Sequence, residues 1–109
     1  MFVTTRKYSP TSALSMKVAM GQMRDVLQQK FLPLIQDIPG FHGYYAINVE
    51  DRELITIGVF ETRSGAEEST RRAAKFTKET PLPMDIGRPE VTSGEVLVLA
   101  EAERLAGSR

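Results

Sequence analysis

The chain has 109 residues, 41% hydrophobic and 26% charged, which fits one globular domain with a modest core and excludes wholesale disorder. Its 14 basic and 14 acidic residues cancel, leaving no basic excess for nucleic acid or an anionic membrane. With no Cys and one His, disulfides, thiolate nucleophiles and cysteine ligands are excluded, and a His-based metal site within one chain is poor.

The segment Met1–Lys7 lacks the continuous apolar stretch of a signal peptide. No apolar run approaches the roughly 20 residues that span a bilayer. The expected location is the cytoplasm, with neither nucleic acid nor membrane as partner.

Phe2–Tyr8 reads as a first strand, with Val3, Thr4 and Thr5 β-branched and an aromatic at each end. Pro10 ends it, and the surrounding Ser and Thr offer helix caps. From about Ser15, Met16, Met20, Met23, Leu27, Phe31, Leu34 and Ile38 recur three or four residues apart, one face of a helix. Pro33 interrupts that pattern, so a kink or restart is expected there. The three methionines at helical spacing read as flexible core filler.

Pro39-Gly40 stops the helix, with Gly40 suited to a sharp turn at positive φ. The second strand then runs to about Glu50. Strict alternation puts Phe41, Gly43, Tyr45, Ile47 and Val49 on one face and His42, Tyr44, Ala46, Asn48 and Glu50 on the other. Asp51-Arg52 contains no Gly or Asn, so a four-residue loop around a type I turn fits better than a primed turn. Glu53–Thr62 is the third strand. Its two faces, Ile55, Ile57 and Val59 against Leu54, Thr56, Gly58 and Phe60, are both apolar, as in a strand covered on both sides.

Ser64 and Glu67 form a capping-box pattern for a second helix ending near Glu79. Glu67–Arg71, Glu68–Arg72 and Lys75–Glu79 are spaced for ion pairs, and Ala66, Thr70, Ala73, Ala74 and Phe76 or Thr77 make a small inner face. Between Thr80 and Arg88, Leu82, Met84 and Ile86 should pin an ordered loop. A turn at Ser93-Gly94 then leads into a fourth strand, Glu95–Glu101. Residues 1–104 form the expected single domain, and 105–109 a frayed tail.

The order βαββαβ describes an α+β, ferredoxin-like fold. Its four antiparallel strands lie in the order 4-1-3-2, with both helices on one face. The other face is left bare and apolar, which a monomer should not expose. Packing two such sheets face to face solves this, so a homodimer is expected.

Taken together these residues resemble the dimeric α/β-barrel superfamily, and within it the antibiotic biosynthesis monooxygenase (ABM) family. The resemblance spans nearly the whole chain. It rests most specifically on Pro39-Gly40-Phe41-His42-Gly43-Tyr44, supported by Arg6-Lys7-Tyr8, Leu32-Pro33-Leu34, Val59-Phe60-Glu61 and Pro89-Glu90-Val91. It implies a homodimer whose two sheets form a barrel, with a cavity in each subunit; the superfamily includes cofactor-independent oxygenases, haem-degrading enzymes and isomerases, and neither a cofactor nor a metal is expected here. Haem-degrading members of the superfamily rely on a Trp, a His and an Asn. This chain has no Trp, and His42 and Asn48 share one strand, which argues against haem breakdown.

Candidate catalytic residues are His42 as general base, Tyr44, and Arg6, which on a central strand would bind a carboxylate, phenolate or oxyanion if it faces inward. Tyr45, Asn48 and Phe60 are candidates for substrate binding. Tyr44 and Tyr45 point to opposite faces, so only one lines a given cavity. Two readings follow. One is a cofactor-independent monooxygenase-type enzyme acting on a small aromatic substrate; the other is a non-catalytic dimeric ligand-binding or accessory protein of the same fold.

Overall fold

A computed structural model describes residues 1–11 and 13–102. Its sheet holds β1 (Phe2–Tyr8), β2 (Phe41–Val49), β3 (Glu53–Phe60) and β4 (Glu90–Glu95), all antiparallel in the order β2-β3-β1-β4. This is the expected ferredoxin-like arrangement. The helices are α1 (Met16–Val26), α2 (Leu32–Gln36) and α3 (Arg63–Glu79). Among the described residues, no helix is long and apolar enough to cross a membrane.

The first helix does not stop at Pro33. A π-helical turn, Leu27–Phe31, joins α1 to α2, and the Leu32 amide reaches back five residues to the Leu27 carbonyl. Pro33 lies in the first turn of α2, where its missing N–H and its ring are accommodated by the widened turn ahead of it. That turn also carries Phe31 into the core.

Ile38-Pro39-Gly40-Phe41 forms the anticipated tight turn, closed by Phe41 N–H to the Ile38 carbonyl at 3.0 Å, with Gly40 at φ 84°. Proline second and a left-handed glycine third is the type II pattern. β2 then departs from strict alternation. A bulge between Phe41 and Gly43 takes up one residue at His42, so Phe41 and Tyr44 both pack toward the helices.

The β2–β3 connection also differs from expectation. Glu50 and Asp51 both have positive φ, 54° and 58°, and Arg52 N–H bonds the Val49 carbonyl, which is a primed turn. Asn48 supplies what glycine would otherwise provide. Its Oδ1 accepts the Asp51 amide and its Nδ2 donates to Asp51 Oδ1, each at 2.9 Å.

Helix α3 is capped by Thr62, not Ser64: Thr62 Oγ1 accepts the Gly65 amide at 3.1 Å. Its buried face is Gly65, Ala66, Ser69, Ala73 and Phe76, whereas Ala74 is exposed. Arg72 bonds Glu68 at 2.8 Å, Asp37 at 2.7 Å and the Leu34 carbonyl at 2.6 Å, tying the end of α2 to α3. Arg71 also turns to Glu68, at 2.7 Å, instead of Glu67.

In the loop after α3, Met84 and Ile86 are buried, and Asp85 exchanges two backbone bonds with Thr11. The fourth strand lies earlier than its apolar run suggested. β4 pairs with β1 up to Phe2–Glu95, with one further bond from Val96 N–H to the Met1 carbonyl. Leu97, Val98 and Leu99 stand exposed beyond the last paired residues. The expected tail, 105–109, lies outside the described residues.

Two apolar clusters fill the space between sheet and helices. One gathers Tyr8, Met20, Met23, Leu54, Met84 and Ile86. The other gathers Phe31, Ile35, Ile38, Phe60, Ala73 and Phe76. Among the described residues, no helix covers the opposite face of the sheet. Register there sets Tyr45 beside Ile57, Ile47 beside Ile55 and Val3 beside Val59.

Candidate active site

Alternation along β1 turns Thr4, Arg6 and Tyr8 toward the helices, and Arg6 is only 2% exposed. Its register partner Thr56 on β3 faces the same way, and Thr56 in turn pairs with Ala46 on β2. Tyr44 lies one step along the same face. Strand register thus gathers Arg6, Tyr8, Tyr44 and Thr56 beneath the helices.

These four line an internal cavity of about 20 Å³, room for one water-sized atom. Met23, Leu27, Phe31, Leu54 and Phe76 supply much of its apolar wall, and among the described residues no carboxylate lines it. The Phe31 ring, delivered by the π turn, packs 5.5 Å from Tyr44 and 5.1 Å from Phe76.

The guanidinium is under-satisfied. Arg6 Nη1 donates to Thr70 Oγ1 at 3.2 Å, but Nη2 has no partner. The Tyr44 hydroxyl and Thr56 Oγ1 also lack hydrogen bonds; they are close enough to influence one another but do not meet bonding geometry. Burial pushes the Arg6 pKa down, opposed mainly by Tyr8 and Tyr44. Burial pushes both tyrosine hydroxyls up, Tyr44 strongly, with Arg6 pulling the other way. Both phenols are therefore neutral donors at physiological pH. An isolated buried cation costs several kcal/mol unless paired, and among the described residues no carboxylate lines this cavity beside Arg6.

An open groove of about 520 Å³ adjoins the cavity and shares Met23, Leu27, Tyr44 and Leu54 with it. Met20, Leu32 and Ala46 extend its apolar floor, with Lys17, Arg24, Asn48 and Asp51 among its polar residues. Met20 and Met23 are thus both core residues and part of the groove wall.

Of the residues singled out from sequence, Arg6 and Tyr44 come together at the cavity and Asn48 lines the groove. Three others stand elsewhere. His42 sits on the β2 bulge, with Nε2 2.7 Å from Glu61 Oε2, and lines neither cavity nor groove. Tyr45 is 61% exposed on the opposite sheet face. Phe60 is fully buried against Phe41, a core residue. Sequence reasoning missed Tyr8 and Thr56. Tyr8 shares the parity of Arg6 and was legible in principle; Thr56 depended on the β1–β3 register.

No family model matches the sequence, and no curated protein is significantly similar to it. Solved structures are similar in fold. A protein of unknown function from Nitrosomonas europaea, NE2512, is 13% identical, with a TM-score of 0.68 over 94% of this chain and 95% of that one. A monooxygenase from the gene ActVA-Orf6 of Streptomyces coelicolor, solved with the ligand nanaomycin D, is 14% identical, with a TM-score of 0.66 over 92% of each chain. A dimeric ferredoxin-like protein from an uncultured marine organism is 12% identical, with a TM-score of 0.61 over 94% of this chain and 98% of that one. The chain therefore has an ABM-like fold, as the resemblance in its sequence implied.

Proposed function

We propose that this protein binds a small aromatic ligand in the groove between sheet and helices, and acts on it as a cofactor-independent monooxygenase-type enzyme. The observation that carries this reading is an apolar groove leading to a buried cluster of unpaired hydrogen-bonding groups. An electron-rich substrate makes a cofactor unnecessary. A hydroquinone plus O2 gives a hydroxyquinone plus water, with one oxygen atom entering the ring and no external reductant. The ligand-bound monooxygenase of the same fold supports the choice of ligand class.

The working unit is a homodimer. The bare apolar sheet face and the exposed Leu97–Leu99 segment both call for cover, and a dimeric relative in fold supports a second copy as that cover.

One observation favours the non-catalytic reading: among the described residues, no Asp, Glu or His lines the inner cavity to act as a base. Oxygen uptake separates the two. Hydroquinones that raise the melting temperature and accelerate O2 consumption would establish the enzyme. Stabilisation without oxygen consumption would leave a binding protein.

A further inference from the structure

We infer that Gly21 on α1 is a specificity-determining residue: the gap it leaves in the groove wall admits the flat body of a ligand too long for the inner end of the groove. The inference rests on the ligand-binding reading above and adds the dimension by which the site selects.

Glycine inside a helix is destabilising relative to alanine, because it loses more backbone freedom on folding and adds no side-chain contact. Gly21 stands in the middle of α1, where neither turn geometry nor crowding calls for it. Unlike Gly40, it has no positive φ. A Cβ built on it meets no atom within 4 Å, whereas one on Gly58 would stand 2.8 Å from the Phe60 ring. What Gly21 provides is the space itself, and that space belongs to the groove.

Helical spacing explains the shape. Lys17, Gly21, Arg24 and Gln28 follow at intervals of four, three and four, so they form one edge of α1 and the π turn, and all four line the groove. Three of them carry long polar side chains, and Gly21 is the notch between them. From the sheet, β2 presents Ala46, an exposed methyl group, to the same groove. Backbone on one wall and a methyl on the other leave a slot suited to the face of a flat ring. The inner end, where Leu27 and Tyr44 are shared with the cavity, holds a compact ring system. A second ring system joined to the first reaches Gly21.

The test uses two neutral fluorescent probes. Indole is compact, and its emission is readable because the chain contains no Trp. N-Phenyl-1-naphthylamine needs the length of the groove. Gly21→Leu fills the notch while favouring the helix. It is expected to weaken naphthylamine binding by about tenfold or more and indole binding by less than about twofold. Gly21→Ala should melt above the parent and weaken the naphthylamine by a smaller factor. Naphthylamine binding undiminished in Gly21→Leu would overturn the inference and leave the ligand site standing. So would an equal loss for both probes, or binding of indole alone by the parent protein. Binding of neither probe by the parent would overturn both the inference and the ligand-site reading. Should the parent bind the naphthylamine alone, its loss or retention in Gly21→Leu decides. If Gly21→Leu fails to fold, Gly21→Ala decides: a loss confined to the naphthylamine supports the inference, and no loss overturns it.

Discussion

The Glu61 amide donates a 2.7 Å hydrogen bond to the Gly40 carbonyl, and a Cβ built on Gly40 would stand 2.7 Å from Glu61 Cβ. The two backbones meet where the chain turns out of α2 and β2 begins beside the end of β3. Gly40 is therefore required twice, by its φ of 84° and by the approach of Glu61. Gly40→Ala is expected to cost about 1–3 kcal/mol in urea unfolding. Gly40→Asn, which tolerates positive φ, should recover only part of that loss because its Cβ meets the same neighbour. A midpoint unchanged in Gly40→Ala would show that the turn relaxes freely.

Local chemistry made much of the fold readable. β1, β3 and the Pro39-Gly40 turn followed from β-branched content, alternation and turn chemistry. What stayed hidden depended on partners distant in sequence. The His42 bulge shifts parity only because β3 holds Phe41 and Gly43 in different registers, and that moved His42 out of the candidate site. Val96–Leu99 looks more like a strand than Glu90–Glu95 does, yet it is Glu90–Glu95 whose register with β1 forms the ladder. Arg6 was visible as a charge on a central strand. That its side chain is buried with no carboxylate beside it among the described residues emerged only from packing.

The unpaired Tyr44 hydroxyl is a cost in the ligand-free protein. Tyr44→Phe removes it while keeping the ring against Phe31, so stability should rise by about 1 kcal/mol. A loss of stability in urea unfolding would mean that the hydroxyl has a partner, such as a buried water, in solution.

Glu68 accepts from both Arg71 and Arg72, and these hydrogen bonds hold its carboxyl below the usual range. A lowered folded pKa gives stability that is present above the unfolded value and lost as pH falls through the folded one. Glu68→Gln is therefore expected to melt below the parent at neutral pH, with the gap closing in acid. The exposed position keeps the effect small. A gap that widens on acidification would contradict this sign.

Dimer formation is tested most directly at Ile57. It lies on the uncovered sheet face, between Thr5 on β1 and Tyr45 on β2, in the centre of an apolar surface that includes Ile47, Ile55 and Val59. Glutamate there keeps the strand exposed on the solvent side of a lone subunit, where a charge is tolerated. In a face-to-face dimer the same carboxylate would be buried against its symmetry mate, an unpaired charge costing several kcal/mol. Light scattering on the parent protein at micromolar concentration should return twice the mass of the 12.1 kDa chain. Ile57→Glu should return one chain with an unchanged circular dichroism spectrum, because its folded core lies on the other side of the sheet. Glu90→Gln, on the edge strand, serves as a control that should remain dimeric. A parent protein that scatters as a single chain would refute the homodimer, and a dimeric Ile57→Glu would move the interface away from this face.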